Sequence, residues 1–404
     1  MPDHSVKRSC PLQILASLKD WLDGLDERSN VDIIYIDFER PFDRVRHSLL
    51  IEKLAKTGIH PTIVRWITAF LSGRVHQVKI NQCFSSEFIP GSGLPQGSTL
   101  GPLMFLILIN DLPDFLPADC KVKLFADDLK VYRVVDNERD AQSLQAGINR
   151  ATEWSTDNSL PISAEKTVLL RTGKNPVEFT YSVEDTVIVP SEEVRDLGIT
   201  IDSKLTFEPH INRIVKSANI ALHQLIRALP NVDLKLFMTA YKTYVRPKLE
   251  YGTEVFSPHY VKLIKRLEKP QRTYTRKVLK LKKITYDSYE HRLRICDLDS
   301  LEYRRAVTDL RTTFKLFNGD YDLDSNVFFQ PPYRDNPRLH ARAVYKPSFA
   351  AVSHHAYWNR VVNSWNDLPV SLNNVANVDA FTSLVQSLDI SRVLPDPVFS
   401  YSDA

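Results

Sequence analysis

The sequence predicts an α+β chain: an antiparallel sheet backed by helices, then a helical region, then a small mixed C-terminal region. Three observations predict it. Val31, Ile33, Ile34, Tyr35 and Ile36 form a nearly continuous apolar run, the pattern of a strand buried on both faces. The stretch Lys121 to Arg133, KVKLFADDLKVYR, alternates apolar and polar residues around a polar pair, which argues a β-hairpin with Asp127 and Asp128 at its tip. From His210 onward, helical periodicity replaces the mixed patterning.

Each element follows in order. Asp37 stands at the mouth of the first strand. A helical pattern follows, with Phe42, Val45, Leu49 and Leu54 on one side and Gly58 as its C-terminal stop. The run Leu103 to Ile109 is far short of the roughly 20 residues that a spanning helix needs, and it reads as a helix buried all round beneath the site. One helix passes through Ile211, Ile214, Val215, Ala218, Leu222 and Leu225 and is stopped by Pro230. Another covers Leu234 to Val245, before Pro247. The change of pattern sets a domain boundary near residue 205. Val261 to Lys283 carries ten Lys or Arg against one acid. There Lys262, Lys265, Arg266 and Lys269 recur at helical spacing, as do Arg272, Arg276 and Lys280, and Pro270 is expected to split the segment into two helices. From roughly 290, charged helices mix with a Pro- and Asn-rich stretch between Phe328 and Pro347 that reads as loop or partly disordered.

Composition narrows the function classes. At 404 residues the chain can hold two or three domains. A net charge of +3 is nearly neutral, so nucleic-acid affinity must come from local patches. Cys10, Cys83, Cys120 and Cys296 are too scattered for a metal knuckle or a disulfide framework, which suits a reduced intracellular setting. No signal-peptide or transmembrane pattern is present, and no membrane association is expected.

An isolated Asp-Asp pair reads as a solvated acidic turn. Packed beside the strand that ends in Asp37, the pair would bring three carboxylates to one point. Three acids cannot sit together ionised without cations. Mg²⁺ is the natural candidate, being a hard ion that takes one or two carboxylates plus substrate phosphates. Two such ions roughly 3.5–4 Å apart would clamp the attacking and leaving oxygens of a phosphoryl displacement.

Between these elements comes SGLPQGSTLGPLMFLILINDL, from Ser92 to Leu112. The ordered set DFERPFDRVRH, SGLPQGSTLGP and FADD resembles the palm of a reverse transcriptase of the non-LTR (jockey-like) retrotransposon class. IEKLAKTGI, WITAFLSGR, NSLPISAEKT, VRDLGITIDSKLTFEPHI, YVRPKLEYGTEVFSP and WNRVVNSWNDLP extend the likeness from about Ser9 to about Ile390.

The resemblance implies an RNA-directed DNA polymerase that moves a nucleotide from a dNTP to a primer 3′-hydroxyl. It implies two Mg²⁺ ions (or Mn²⁺) on Asp37 and Asp127, with Asp128 completing the acidic shell and the Phe38 carbonyl as a further contact. Phe42 matches the aromatic beneath the nucleotide sugar, or else belongs to the core face of its helix. Gln96 matches the residue along the incoming nucleotide, Gly97 permits close backbone approach, and Lys166 matches the lysine near the triphosphate. The chain then divides into a remnant of fingers (1–30), a palm (31–205), a helical thumb-like region (206–290) and a C-terminal region (291–404). Lys262, Lys265, Arg266, Lys269, Arg272, Arg276 and Lys280 would track the phosphates of an RNA–DNA duplex of template and primer, unless they are simply a solvated helix face. A nuclear or ribonucleoprotein setting goes with this class.

Two departures stand out. Arg40-Pro41 replaces the usual Lys-Ala, and proline has no N–H for a triphosphate, at a cost of about 1 kcal/mol if nothing replaces it. Only the last piece of the fingers precedes Asp37, and no endonuclease domain is present. The chain is therefore expected to be a truncated product or incomplete gene model that extends a primer poorly. The alternative is a catalytically inactive nucleic-acid-binding remnant.

Overall fold

Helix α1 (Cys10–Asp26) precedes strand β1 (Val31–Ile36) in a computed structural model that describes residue 7 and residues 9–229, 232–331, 340–345, 352–369, 371, 375–389, 393–394 and 398. Pro230 and most of the Pro- and Asn-rich stretch (332–339 and 346–347) lie outside the described residues. Glu27–Glu192 form one unit, while α1 groups with the residues from Glu193 on in a second.

The first unit is built on β1. Around it come α2 (Pro41–Arg44), α3 (His47–Lys56), α4 (Pro61–Leu71), the ribbon β2 (Lys79–Ile80) and β3 (Cys83–Phe84), α5 (Leu100–Ile109) and α6 (Leu112–Phe115). The hairpin β4 (Lys121–Phe125) and β5 (Asp128–Val134), α7 (Glu138–Asp157), β6 (Val168–Thr172), β7 (Ser182–Val183), β8 (Thr186–Val187) and β9 (Pro190–Ser191) complete it. Five strands form one sheet in the order β4-β5-β1-β6-β9, antiparallel except for the short β6–β9 pair. β1 is central, and Val31, Ile33, Ile34 and Ile36 are all buried, as its continuous apolar run requires.

Helices back one face. Ile34, Ile36, Leu129, Val131 and Leu169 share a core with Phe105 and Leu108 of α5 and with Leu144, Ile148 and Trp154 of α7. Each such side chain contributes about 1.5–3 kcal/mol by leaving water. α7 starts where Asn137 accepts the Asp140 N–H (3.1 Å), with Glu138 and Asp140 in the first turn complementing the helix dipole.

Two expectations need correction here. The helix after Asp37 is two helices, broken at Val45, whose backbone turns extended (ψ 113°). Its carbonyl accepts the Gly93 N–H instead of continuing the helix (2.8 Å). α5 is not buried all round, because Leu103 is 52 % exposed while Met104, Phe105 and Leu108 face the core.

The second unit contains the hairpin β10 (Glu193–Asp196) and β11 (Ile199–Asp202), then α8 (Glu208–Ala228), α9 (Leu234–Tyr244), α10 (Arg246–Glu250), α11 (Thr253–Phe256), α12 (Val261–Leu281), α13 (Tyr289–Cys296) and α14 (Leu301–Phe317). Leu197 and Gly198 take positive φ in the tight turn of that hairpin. Pro270 does not split α12: it is buried inside a continuous helix. Buried Leu263, Leu267, Tyr274 and Val278 hold the two halves to one apolar face, which offsets the one missing backbone bond. Glu268, fully buried on the same helix, accepts bonds from Tyr289 Oη (2.5 Å) and the Leu301 N–H (3.0 Å). Burial pushes its carboxyl pKa up. No helix among the described residues is long and apolar enough to cross a membrane.

Candidate active site

The register of the central strands brings the candidate carboxylates to one end of the sheet. Ile36 of β1 faces Leu129 of β5, so Asp37 and Asp128 stand one residue further along each strand. Residues directly opposite in an antiparallel pair present their side chains on the same face. Phe125 faces Asp128 across the hairpin, which leaves Ala126 and Asp127 as a two-residue turn. Asp127 therefore sits in the tip, and Asp128 opens β5. Ala126 carries the positive φ (53°) that a two-residue turn of this kind usually assigns to glycine.

Asp37 is held from behind by the segment leading into β6. The Ser163 N–H donates to the Asp37 carbonyl (2.7 Å) and the Glu39 N–H donates to the Pro161 carbonyl (2.8 Å), flanking the bridge between Phe38 and Ile162. By strand alternation the Phe38 carbonyl then turns the other way, toward the hairpin. The Phe38 ring is buried edge-on to Trp154, so the residue anchors the strand end while its backbone stays available.

Lys166 lies in the turn after Ser163 and reaches Asp37, with Nζ 3.4 Å from Oδ2. Both side chains are substantially exposed, so the pair contributes little to stability. Asp37 Oδ2 itself is buried and accepts no hydrogen bond. A buried carboxylate oxygen with no hydrogen-bond donor is the kind of ligand that a hard divalent cation takes. Among the described residues, no three His, Cys, Asp or Glu side chains are drawn together into a group that could hold a metal ion. The three aspartates share one end of the sheet without closing on one point.

A second seam joins α2 to the glycine-rich loop. The Leu94 N–H donates to the Phe42 carbonyl (2.9 Å), the Gly93 N–H to the Val45 carbonyl (2.8 Å) and Ser92 Oγ to the Asp43 carbonyl (3.0 Å). Gln96 Nε2 donates to Asp43 Oδ1 (2.9 Å), which points the amide back along α2. Phe42 is half-buried and stacks on Phe105 with ring centroids 4.5 Å apart.

Close approach belongs to a different glycine from the one expected. Gly97 (φ +82°) has no protein atom within 4 Å of where a Cβ would stand, so it supplies a left-handed turn facing open space. A Cβ on Gly93 (φ +94°) would lie 2.9 Å from the Asp43 carbonyl oxygen. Gly93, Ser92 and Asp43 were missed in the sequence because their roles depend on contacts between segments about fifty residues apart. The SGLPQG run was their only local signal.

Arg40 is exposed and takes a left-handed backbone (φ 48°) ahead of Pro41, a conformation that both its side chain and the following proline disfavour. Pro41 is buried at the first position of α2, where a missing N–H removes nothing from the helix.

The seven basic candidates all lie on α12, in the second unit, and they are not equivalent. Lys262, Lys265, Lys269, Arg276 and Lys280 are exposed. Arg266 is engaged by Glu208 (3.1 Å) and Asn212, and Arg272 lies 4.8 Å from the ring of Tyr289. Lys262 also approaches Glu208, at 3.4 Å.

Residues 13–201 match the family model for reverse transcriptase (RNA-dependent DNA polymerase). An uncharacterized Caenorhabditis elegans protein is 36% identical over 134 residues, 33% of this chain and 68% of that one. The RNA-directed DNA polymerase from mobile element jockey of Drosophila melanogaster is 28% identical over 265 residues, which is 62% of this chain and 28% of that protein. The chain thus spans less than a third of the jockey polymerase. A solved structure of telomerase from Candida albicans, in complex with a TWJ fragment of telomeric RNA, aligns with 80% of this chain and 49% of its own at 13% identity and a TM-score of 0.40, a likeness too loose to carry an argument.

Proposed function

The chain belongs to the reverse transcriptase (RNA-dependent DNA polymerase) family, in its non-LTR, jockey-like branch, and from that premise we propose that the end of its five-stranded sheet is a site of RNA-templated nucleotidyl transfer. The primer 3′-hydroxyl attacks the α-phosphorus of a deoxynucleoside triphosphate and pyrophosphate leaves. One observation carries the reading: the register that stands Asp37 beside Asp128, with Asp127 in the adjoining turn.

Members of this family generally depend on divalent metal. In this reading Asp37, Asp127 and the Phe38 carbonyl hold Mg²⁺ or Mn²⁺, with Asp128 completing the acidic shell. When bound, two such ions neutralise charge on the attacking and leaving oxygens. The protein's own residues position the substrate. Phe42, braced on Phe105, lies under the sugar and excludes a 2′-hydroxyl. Gln96, steadied by Asp43, packs along the nucleotide over the open face of Gly97. Arg40 and Lys166 offer cations to the triphosphate, and Lys166 exchanges its contact with Asp37 for the phosphates. Positioning and charge neutralisation, not a protein base, supply the rate.

The remaining segments take supporting roles. Residues 31–205 act as palm and 206–290 as thumb, with the exposed lysines and Arg276 of α12 on the phosphates of a template–primer duplex. Residues 1–30 correspond to the end of the fingers, and 291–404 form a C-terminal region. A chain that copies RNA works in company with it, as a ribonucleoprotein in the nucleus.

Primer extension on a defined RNA template tests this. Template-dependent extension that disappears in Asp127→Asn supports the reading. Duplex binding without extension, even with Mn²⁺, would favour the inactive nucleic-acid-binding remnant instead.

A further inference from the structure

Two opposite charges stand one turn apart on α14 without pairing, and a cavity of the second unit opens over both. Glu302 and Arg305 are 7 % and 4 % exposed, although neighbours at this helical spacing are close enough to bridge. Arg305 has no ion-pair partner within 4.0 Å among the described residues, and its buried Nη1 donates no hydrogen bond. The carboxylates of Glu268, Glu302 and Asp309 act on it only at longer range. Glu302 accepts the Val398 N–H on Oε1 (3.1 Å) and no other hydrogen bond among the described residues. Asp309, by contrast, is satisfied, since Arg360 donates to both of its oxygens, at 2.7 and 2.9 Å. The cavity holds about 400 Å³ and is lined by all four of these charged side chains. That is the size of a small-molecule site, and many times the ~30 Å³ of one water.

The charges say what fits. Two cations face two carboxylates, and the stacked rings of His259 and His355 are mostly neutral at pH 7. A balanced set favours a ligand of no net charge. A phosphate dianion would meet Glu302 and Asp309, and a neutral alcohol would leave a buried guanidinium without a counter-charge. An unused donor beside an unused acceptor of opposite sign calls for a ligand that carries both signs. We propose that this cavity binds a free aliphatic α-amino acid, with its carboxylate on Arg305 and its ammonium on Glu302 Oε2. The planar guanidinium suits a carboxylate, and such charge-assisted bonds are about twice as strong as neutral ones. Ile264, Val361, Val393 and Leu394 supply apolar lining for the aliphatic side chain. The proposal uses no residue of the carboxylate site and stands apart from the catalytic reading.

Leucine and two of its fragments provide the test. The full chain is titrated at pH 7 with L-leucine, and binding is read by saturation-transfer NMR on the ligand methyls. Saturable binding is expected. The fragment 4-methylpentanoate lacks the ammonium and 3-methylbutylamine lacks the carboxylate, so each should bind at least tenfold more weakly. Arg305→Met should abolish leucine binding. Glu302→Gln keeps an acceptor for Val398 and should weaken leucine at least tenfold while 4-methylpentanoate binds as well as before. Misfolding would weaken both ligands, so that change of preference separates recognition from structure. Ala306, which also lines the cavity, allows a third variant: Ala306→Phe fills the space, keeps both charges, and should block leucine with an unchanged circular dichroism spectrum. Equal affinity for leucine and 4-methylpentanoate in the unaltered chain overturns the proposal. So does an absence of saturable binding, or leucine binding that survives both Arg305→Met and Glu302→Gln.

Discussion

Asp37 is fixed by its backbone and left open by its side chain. The Ser163 N–H holds its carbonyl at 2.7 Å, while Oδ2 is buried without a hydrogen-bond donor and lies 3.4 Å from the Lys166 ammonium. A divalent ion that binds the folded chain alone stabilises it by about 2.7 kcal/mol at a hundredfold excess over its dissociation constant. Mg²⁺ or Mn²⁺ should therefore raise the melting temperature by several degrees, and Asp37→Asn with Asp127→Asn should remove the rise. Equal shifts in both proteins would end the metal assignment. Gly93 supports a second expectation. An alanine there must adopt φ +94° and place Cβ 2.9 Å from the Asp43 oxygen, so Gly93→Ala should lose about 1–3 kcal/mol in urea titration. Gly97→Ala meets no neighbouring atom and should lose less. At Phe42, if the ring lies under the sugar, Phe42→Val should raise ribonucleotide use relative to deoxyribonucleotide use in extension assays. An unchanged ratio with intact folding would leave the residue to its stack with Phe105. Asp37 and the Asp127–Asp128 tip were legible because a strand end and a hairpin tip are local patterns. Gly93 was not, because the carbonyl it must avoid comes from another segment.

Elements were legible wherever burial is uniform along them. β1 announced itself by an unbroken apolar run, and α8 and α9 by their periodicity. The break at Val45 and the continuity of α12 through Pro270 were hidden, since each is decided by a tertiary partner: the Gly93 N–H in one case, the apolar bed under α12 in the other. The same holds for charge. Sequence spacing puts seven cations on α12, but Glu208 and Tyr289 engage three of them, Lys262, Arg266 and Arg272. Lys265, Lys269, Arg276 and Lys280 should carry the duplex contacts. Replacing all four with alanine should lower the log–log salt slope by about 3–4, at roughly 0.9 per phosphate contact. An unchanged slope would make this face a solvated one. α8 carries a pH dependence of its own. His210 is buried, with Nδ1 accepting the Thr200 N–H at 3.2 Å. Burial, then Arg213 and Arg195, depress its pKa to about 4. The folded imidazole stays neutral while the unfolded one takes up a proton from about pH 6.5 down. Stability should therefore fall between about pH 6.5 and 4, by about 3 kcal/mol for a shift of this size. His210→Asn keeps an acceptor for Thr200 and should flatten that part of the profile, though its smaller side chain lowers stability at pH 7.

At the scale of the whole molecule, these two sensitivities fall in different units. The carboxylates and Lys166 lie within Glu27–Glu192, and His210 lies in the unit that gathers α1 with the residues from Glu193 on. A chain divided in this way need not unfold as one cooperative block. Calorimetry can assign each transition by its ligand. Mg²⁺ at neutral pH should raise only the transition of the first unit, and Asp37→Asn with Asp127→Asn should silence that response. Acidification from pH 7 to 5 should lower the other transition through His210, and His210→Asn should blunt the fall without altering the metal response. This crossed design guards against reading global destabilisation as a site effect, since each variant must spare the response assigned to the other unit. A single transition moved by both metal and acid would mean that the two units unfold together. Metal sensitivity in the transition that also answers to His210 would place the divalent ion away from Asp37 and remove the physical basis of the proposed active site.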